Sequence, residues 1–164
     1  MNIRQIEEKD AEKFLKLLKR LDNETKYMLF EPDERTSSIG EIKDHITKLL
    51  KSKSMIFVAE NNQGFAGYIL ANRGTLQRIK HSAYIVIGIL QASTGKGIGQ
   101  MLFERMERWA SKQQISRLEL TVMTHNDKAI KLYEKMGFEK EGVKRHSLII
   151  DGTSIDEYYM SKLL

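Results

Sequence analysis

Cysteine is missing from this 164-residue chain, which rules out a disulfide frame, a thiolate nucleophile and a zinc–thiolate site. That absence suits a reducing compartment. The four histidines, His45, His81, His125 and His146, are scattered without metal-ligand spacing, so no metal site is expected. No apolar run approaches the ~20 residues that cross a bilayer. The segment Met1–Lys9 places acids where a signal peptide needs an apolar core. A cytoplasmic protein without a membrane partner is the expectation. A dense basic run is also lacking. The net charge of +5 comes from 27 basic and 22 acidic residues spread over both halves, a surplus that suits an anionic ligand and does not argue for nucleic acid.

What remains is an ordinary globular composition, 41% hydrophobic and 30% charged, long enough for one domain over residues 1–164 with a substantial core. Residues 2–6 alternate as a short strand. Asp10 is placed to cap a helix whose apolar stripe is Phe14, Leu15, Leu17, Leu18 and Leu21. Thr25–Ser37 has no period and holds the only proline, Pro32, among Glu31, Asp33 and Glu34, so it is a loop. Ser38 and Glu41 have capping-box spacing for a second helix ending near Lys51. Met55–Glu60 and Phe65–Asn72 form a hairpin around Asn61–Gly64. Ala83–Leu90 is a strand rich in β-branched residues and covered on both faces. A helix from Ile98 to about Lys112, a strand Arg117–Met123 and a short helix after Asn126 follow. Gly137 stops that helix, and two strands joined at Asp151–Gly152 complete the chain. The fold class is α/β, mixed and α+β-like: a central mixed sheet of about seven strands flanked by about four helices. The two strand–helix–strand crossovers imply neighbouring parallel strands.

The informative stretch is the junction Gly95-Lys96-Gly97-Ile98-Gly99-Gln100, between a buried strand and a helix. Such a junction directs backbone N–H groups and the positive end of the helix dipole at an anion. It is not a P-loop, because Gly97 stands where Ser or Thr is needed and Leu90 where the first glycine belongs. A dinucleotide fingerprint is one residue short, although Glu119 lies near the required acid. A nucleotide-dependent oxidoreductase therefore stays open at this level.

Thr94–Gly99, followed by Leu102 and then by Asn126-x-x-Ala129-x-x-Leu132-Tyr133-Glu134-Lys135-Met136-Gly137-Phe138, resembles the GNAT superfamily of N-acetyltransferases. The C-terminal pattern around Glu141-Gly142-Val143, Asp151-Gly152 and Asp156-Glu157-Tyr158 is similar to the branch holding ribosomal-protein and small-amine N-acetyltransferases. The resemblance implies transfer of an acetyl group from acetyl-CoA to a primary amine, of a small molecule or a protein N-terminus. A non-catalytic acyl-CoA sensor is its alternative. It further implies a bulged strand before the glycine loop, whose Ile87, Gly88 and Ile89 bond the pantetheine arm by edge addition. Gly95, Lys96, Gly97, Ile98, Gly99 and Gln100 then hold the pyrophosphate, Asn126 and Ala129 contact the coenzyme, and Tyr133 is the general acid on the departing sulfur. Thr94 replaces the family's usual Gln or Arg, which leaves that work to the backbone and Lys96. A matching catalytic carboxylate is absent, since Thr121 occupies its place. Glu119 is the nearest acid on the same strand face, while Glu31, Asp33 and Glu34 are further candidates for drawing in a cation. Arg145, His146, Tyr158 and Tyr159 would border the acceptor. Homodimers are common in the family.

Overall fold

The apolar periods fold into β1 (Asn2–Gln5), α1 (Ala11–Glu24), α2 (Ile39–Lys51), β2 (Met55–Asn61), β3 (Gly64–Arg73), β4 (Ser82–Ile89), α3 (Ile98–Lys112), β5 (Arg117–Met123), α4 (Asp127–Lys135), β6 (Glu139–Ile150) and β7 (Thr153–Leu163). The computed structural model describes residues 1–164. Short 3-10 turns over Glu8–Asp10 and Gln91–Ser93 were not expected from the sequence. All seven strands join one sheet in the order β1-β2-β3-β4-β5-β7-β6. No helix is long and apolar enough to cross a membrane.

Each sheet face has its own core. On β2, Ile56 and Val58 pack with Phe14, Leu18 and Leu21 of α1 and Ile46 of α2. The alternate residues Phe57 and Ala59 pack with Leu102, Phe103 and Met106 of α3. Both side-chain sets are buried, so the strand reads as a nearly continuous apolar run.

Ser38 caps α2 as expected, its hydroxyl accepting from Glu41 N–H at 3.1 Å. Asp10 does not cap α1 through its side chain. Its carboxylate instead accepts from Glu7 N–H at 2.9 Å and from both terminal nitrogens of Arg4 at 2.7 and 2.9 Å. A buried anion needs this paired set of donors more than the helix needs a cap.

The feature that positions everything else is a fork between β4 and β5. These parallel strands pair only over Ser82–Tyr84 with Arg117–Glu119. Past that three-residue stem they diverge, while β4 stays paired to β3 over seven positions and β5 to β7 over seven. The β4-α3-β5 crossover therefore gives the expected parallel neighbours. The second crossover does not, because β7 takes the place beside β5 and β6 lies outside it. The hairpin partner, not the crossover partner, completes the ladder.

The β3–β4 register is unbroken from Arg73↔Ala83 to Gly67↔Ile89, so no bulge relative to β3 is found at Ile87–Ile89. Gly88 has a packing reason instead. A Cβ there would lie 2.8 Å from Leu21 Cδ1 and 3.0 Å from Tyr68 Cε1, so any larger residue would have to displace these side chains.

Candidate active site

The C-terminal ends of the two diverging strands carry the predicted groups, where ligands of open parallel sheets bind. After β4 the chain turns through Gly95 and Gly97, both left-handed at φ +74° and +77°. A Cβ at either would meet nothing within 4 Å, so their purpose is backbone conformation and open space. None of the amides of Gly95, Lys96, Gly97, Ile98, Gly99 and Gln100 donates to a backbone carbonyl; the first such bond is Met101 N–H to Gly97 O at 3.1 Å. Six successive free donors at the start of a 15-residue helix make an anion cradle from main chain alone.

Gly99 does a second job. A Cβ there would approach Leu132 Cδ2 to 2.6 Å, so this glycine lets α4 pack against the start of α3. Gln100 turns its side chain to Glu104 at 2.8 Å, which leaves only its amide for a ligand. Lys96 is exposed on the loop. The loop is braced from the opposite helix layer: Glu24, the last residue of α1, accepts from Gln91 N–H at 2.9 Å and bonds Arg20 at 2.6 Å.

On the other limb, Asn126 caps α4 through Oδ1 to Ala129 N–H at 3.3 Å, and its side-chain NH2 stays free. Asn126, Ala129 and Tyr133 follow at three- and four-residue steps, so they share one helix face. Tyr133 is buried with its ring against Phe103 and Phe138, centroids 5.8 and 6.0 Å away. Its hydroxyl bonds no protein group, yet no sealed side-chain polar atom lacks a partner. The hydroxyl therefore opens on accessible space. Burial first, and then the nearby Tyr84, push its pKa up, so at neutral pH the phenol is a neutral proton donor.

The Ile87–Ile89 backbone lies on the diverged limb of β4, with no β5 partner. Opposite the α3 and α4 face, Tyr84 and Thr121 meet across the foot of the fork, hydroxyl to hydroxyl at 2.7 Å. Glu119 is in register beside Tyr84, and Arg117 Nε donates to it at 2.8 Å. The same guanidinium reaches Glu141 at 2.9 and 3.2 Å. This assembly was missed from sequence. Alternation placed Tyr84 and Thr121 on strand faces, but only register brings residues 84, 117, 119, 121, 141 and 159 together. Glu119, the acid that a dinucleotide fingerprint would use, is instead paired with Arg117.

Of the remaining candidates, Tyr159 lines the cavity beside Thr121, whereas Tyr158 packs on the core. His146 Nδ1 bonds Ser154 Oγ at 2.7 Å and so serves the hairpin. Glu31, Asp33 and Glu34 stay exposed, and Glu34 accepts from Glu31 N–H at 2.7 Å within its own turn. Their loop reaches the β5 side of the fork: Tyr27 lies 5.4 Å from the His125 ring, and Lys26 pairs with Asp151 at the tip of the β6–β7 hairpin.

Residues 15–138 match the model of a family described as "Acetyltransferase (GNAT) family". An L-amino acid N-acetyltransferase of Escherichia coli is 34% identical over 90 residues, which is 53% of this chain and 56% of that protein. The chain thus spans about half the length of the first curated relatives it matches. A GNAT-family acetyltransferase of Streptococcus pneumoniae superposes with a TM-score of 0.95 at 31% identity, covering 99% of both chains. The structure of yncA of Salmonella typhimurium with its cofactor acetyl-CoA has a TM-score of 0.88 at 18% identity, covering 100% of this chain and 94% of that one.

Proposed function

This chain belongs to the GNAT acetyltransferase family, and from that premise we propose that it transfers the acetyl group of acetyl-CoA to a primary amine by direct attack. The observation that carries the proposal is the pairing of six unpartnered amides, Gly95 to Gln100, with a buried and unbonded tyrosine hydroxyl at opposite limbs of one strand fork. The amides, with the α3 dipole, hold the pyrophosphate. The Ile87–Ile89 backbone lines the pantetheine arm, and Asn126 and Ala129 border it from α4. Bound acetyl-CoA in a relative of the same fold supports this use of the fork.

An alkyl ammonium with a pKa near ~10 must lose a proton before it attacks. The nitrogen lone pair then bonds the thioester carbonyl carbon, and the negative charge on oxygen is met by a main-chain N–H near Ile89. Collapse breaks the carbon–sulfur bond, the thiolate takes its proton from Tyr133, and the proton shed by the attacking nitrogen returns through solvent to restore the phenol. Products are the amide and free coenzyme A. A cytoplasmic, acetyl-CoA-supplied setting fits this chemistry.

The test is a free-thiol release assay against an amine panel, with the intact mass of each product. A gain of one acetyl group, matched in amount to the thiol released, supports the proposal. Acetyl-CoA binding without turnover on any amine would leave the chain a sensor.

A further inference from the structure

The foot of the fork opens into a cavity of about 320 Å³ lined by Tyr84, Arg117, Glu119, Thr121, Glu141 and Tyr159, together with parts of Leu120 and Met160. Register explains its make-up. Tyr84 of β4 pairs with Glu119 of β5, Thr121 pairs with Tyr159 of β7, and Gly142 of β6 stands opposite Tyr159. Without a side chain at Gly142, the Tyr159 ring is left uncrowded; even an added Cβ would lie 4.0 Å away. Tyr84 and Tyr159 remain 38% and 45% exposed, so the two rings wall an open site.

Its charges are unequal. One guanidinium faces two carboxylates, a net charge of −1. Arg117 commits Nε to Glu119 Oε2 and both terminal nitrogens to Glu141. All three of its nitrogens are thus already engaged by carboxylates, while Glu119 Oε1 has no protein donor. A second cation on an entering molecule finds a fixed oxygen and two aromatic walls. A carboxylate on that molecule finds two like charges and no free guanidinium.

Resting on the acetyl-transfer reading, we propose that this cavity is the acceptor subsite and that it selects a short amine without a carboxylate and with a second cationic group, held by Glu119. The Tyr84–Thr121 hydroxyl pair lies between that anchor and the open fork, and Arg117 is a positioning residue that fixes the Glu119 rotamer. The L-amino acid acceptor named for the E. coli relative is then not this chain's acceptor.

Three probes of similar length separate the terms: putrescine, butylamine and γ-aminobutyrate, with L-methionine as an α-amino acid. The expected order of kcat/KM is putrescine, butylamine, then the two carboxylates. Glu119→Gln should raise the KM for putrescine about tenfold, the loss of one charge-assisted hydrogen bond. It should leave the KM for acetyl-CoA unchanged and move the KM for butylamine far less than that for putrescine. Equal or better turnover of the carboxylate acceptors, or a Glu119→Gln enzyme indifferent to putrescine, overturns the subsite while acetyl transfer stands. Calorimetric titration of putrescine into the CoA-saturated protein separates the other failure. Glu119-dependent binding without turnover of any amine supports the subsite and removes the catalytic reading.

Discussion

On the α3 and α4 side of the fork the working groups are main-chain amides and one phenol. On the opposite side they are side chains drawn from four strands, an ion-paired Arg117, Glu119 and Glu141 between two tyrosines. The first set is local: the left-handed Gly95 and Gly97, the Asn126 cap and the Tyr133 face each lie within one turn or one helix. The second exists only because β4, β5, β7 and β6 align residues up to 75 positions apart, from Tyr84 to Tyr159. On the proposed reading, the difference teaches that donor binding is written in backbone conformation and the choice of acceptor in register.

The sharpest way to break this contrast is Tyr133→Phe. With an accepted amine, kcat should fall by at least about a hundredfold, the usual share of a general acid, with the KM for acetyl-CoA preserved. Unchanged kcat would strip the phenol of its role. Next in size is Gly97→Val. A β-branched residue at φ +77° resists the left-handed turn by at least ~2 kcal/mol, so the Kd for acetyl-CoA should rise roughly thirtyfold by calorimetry. An unaltered Kd would mean that the loop conformation does not matter for the anion.

An anchor outside both sides calibrates the measurements. Asp10, paired with Arg4 and 3% exposed at its side chain, has a pKa lowered chiefly by that hydrogen bond, with the Glu7 amide also lowering it against the cost of burial. Its folded value lies below the unfolded one. Its contribution is thus complete above the unfolded value, about 3.9, and is lost as pH falls through the folded value. Asp10→Asn should cost about 2 kcal/mol in urea unfolding at pH 7, with the gap from wild type narrowing below pH 4. A gap independent of pH would remove the ion pair as its cause. The smallest effect is expected from Thr121→Val, which leaves the Tyr84 hydroxyl without its partner. The acceptor KM should rise about fivefold, one neutral hydrogen bond, and the acetyl-CoA Kd should not move.

The same contrast marks what could be read in advance. Element order, the Ser38 and Asn126 caps, the Gly137 stop and the glycine junction were legible because each depends on neighbours in the chain. Asp10 stands at the N-cap position of α1 as read, but its carboxylate serves Arg4 and the Glu7 amide because the buried anion's strongest partner lies on another element. The bulge expected around Gly88 is not found, and its packing against Leu21 and Tyr68 was not visible, because both lie on other elements. The place of β6 could not be inferred, since a hairpin leaves open which of its strands joins the sheet. Glu119 was visible as a candidate acid, but its guanidinium clamp and its distance from the phenol face were not.

The ladders that flank the fork settle one further matter. β4 and β5 are each fastened along their outer margins over seven positions and to one another over three. The gap is accordingly set by the sheet itself, held apart by bonds formed during folding. An incoming thioester arm has no strands to pry open and no sheet to rearrange; it slips in like a tongue into a milled groove, and its binding energy is left for orientation.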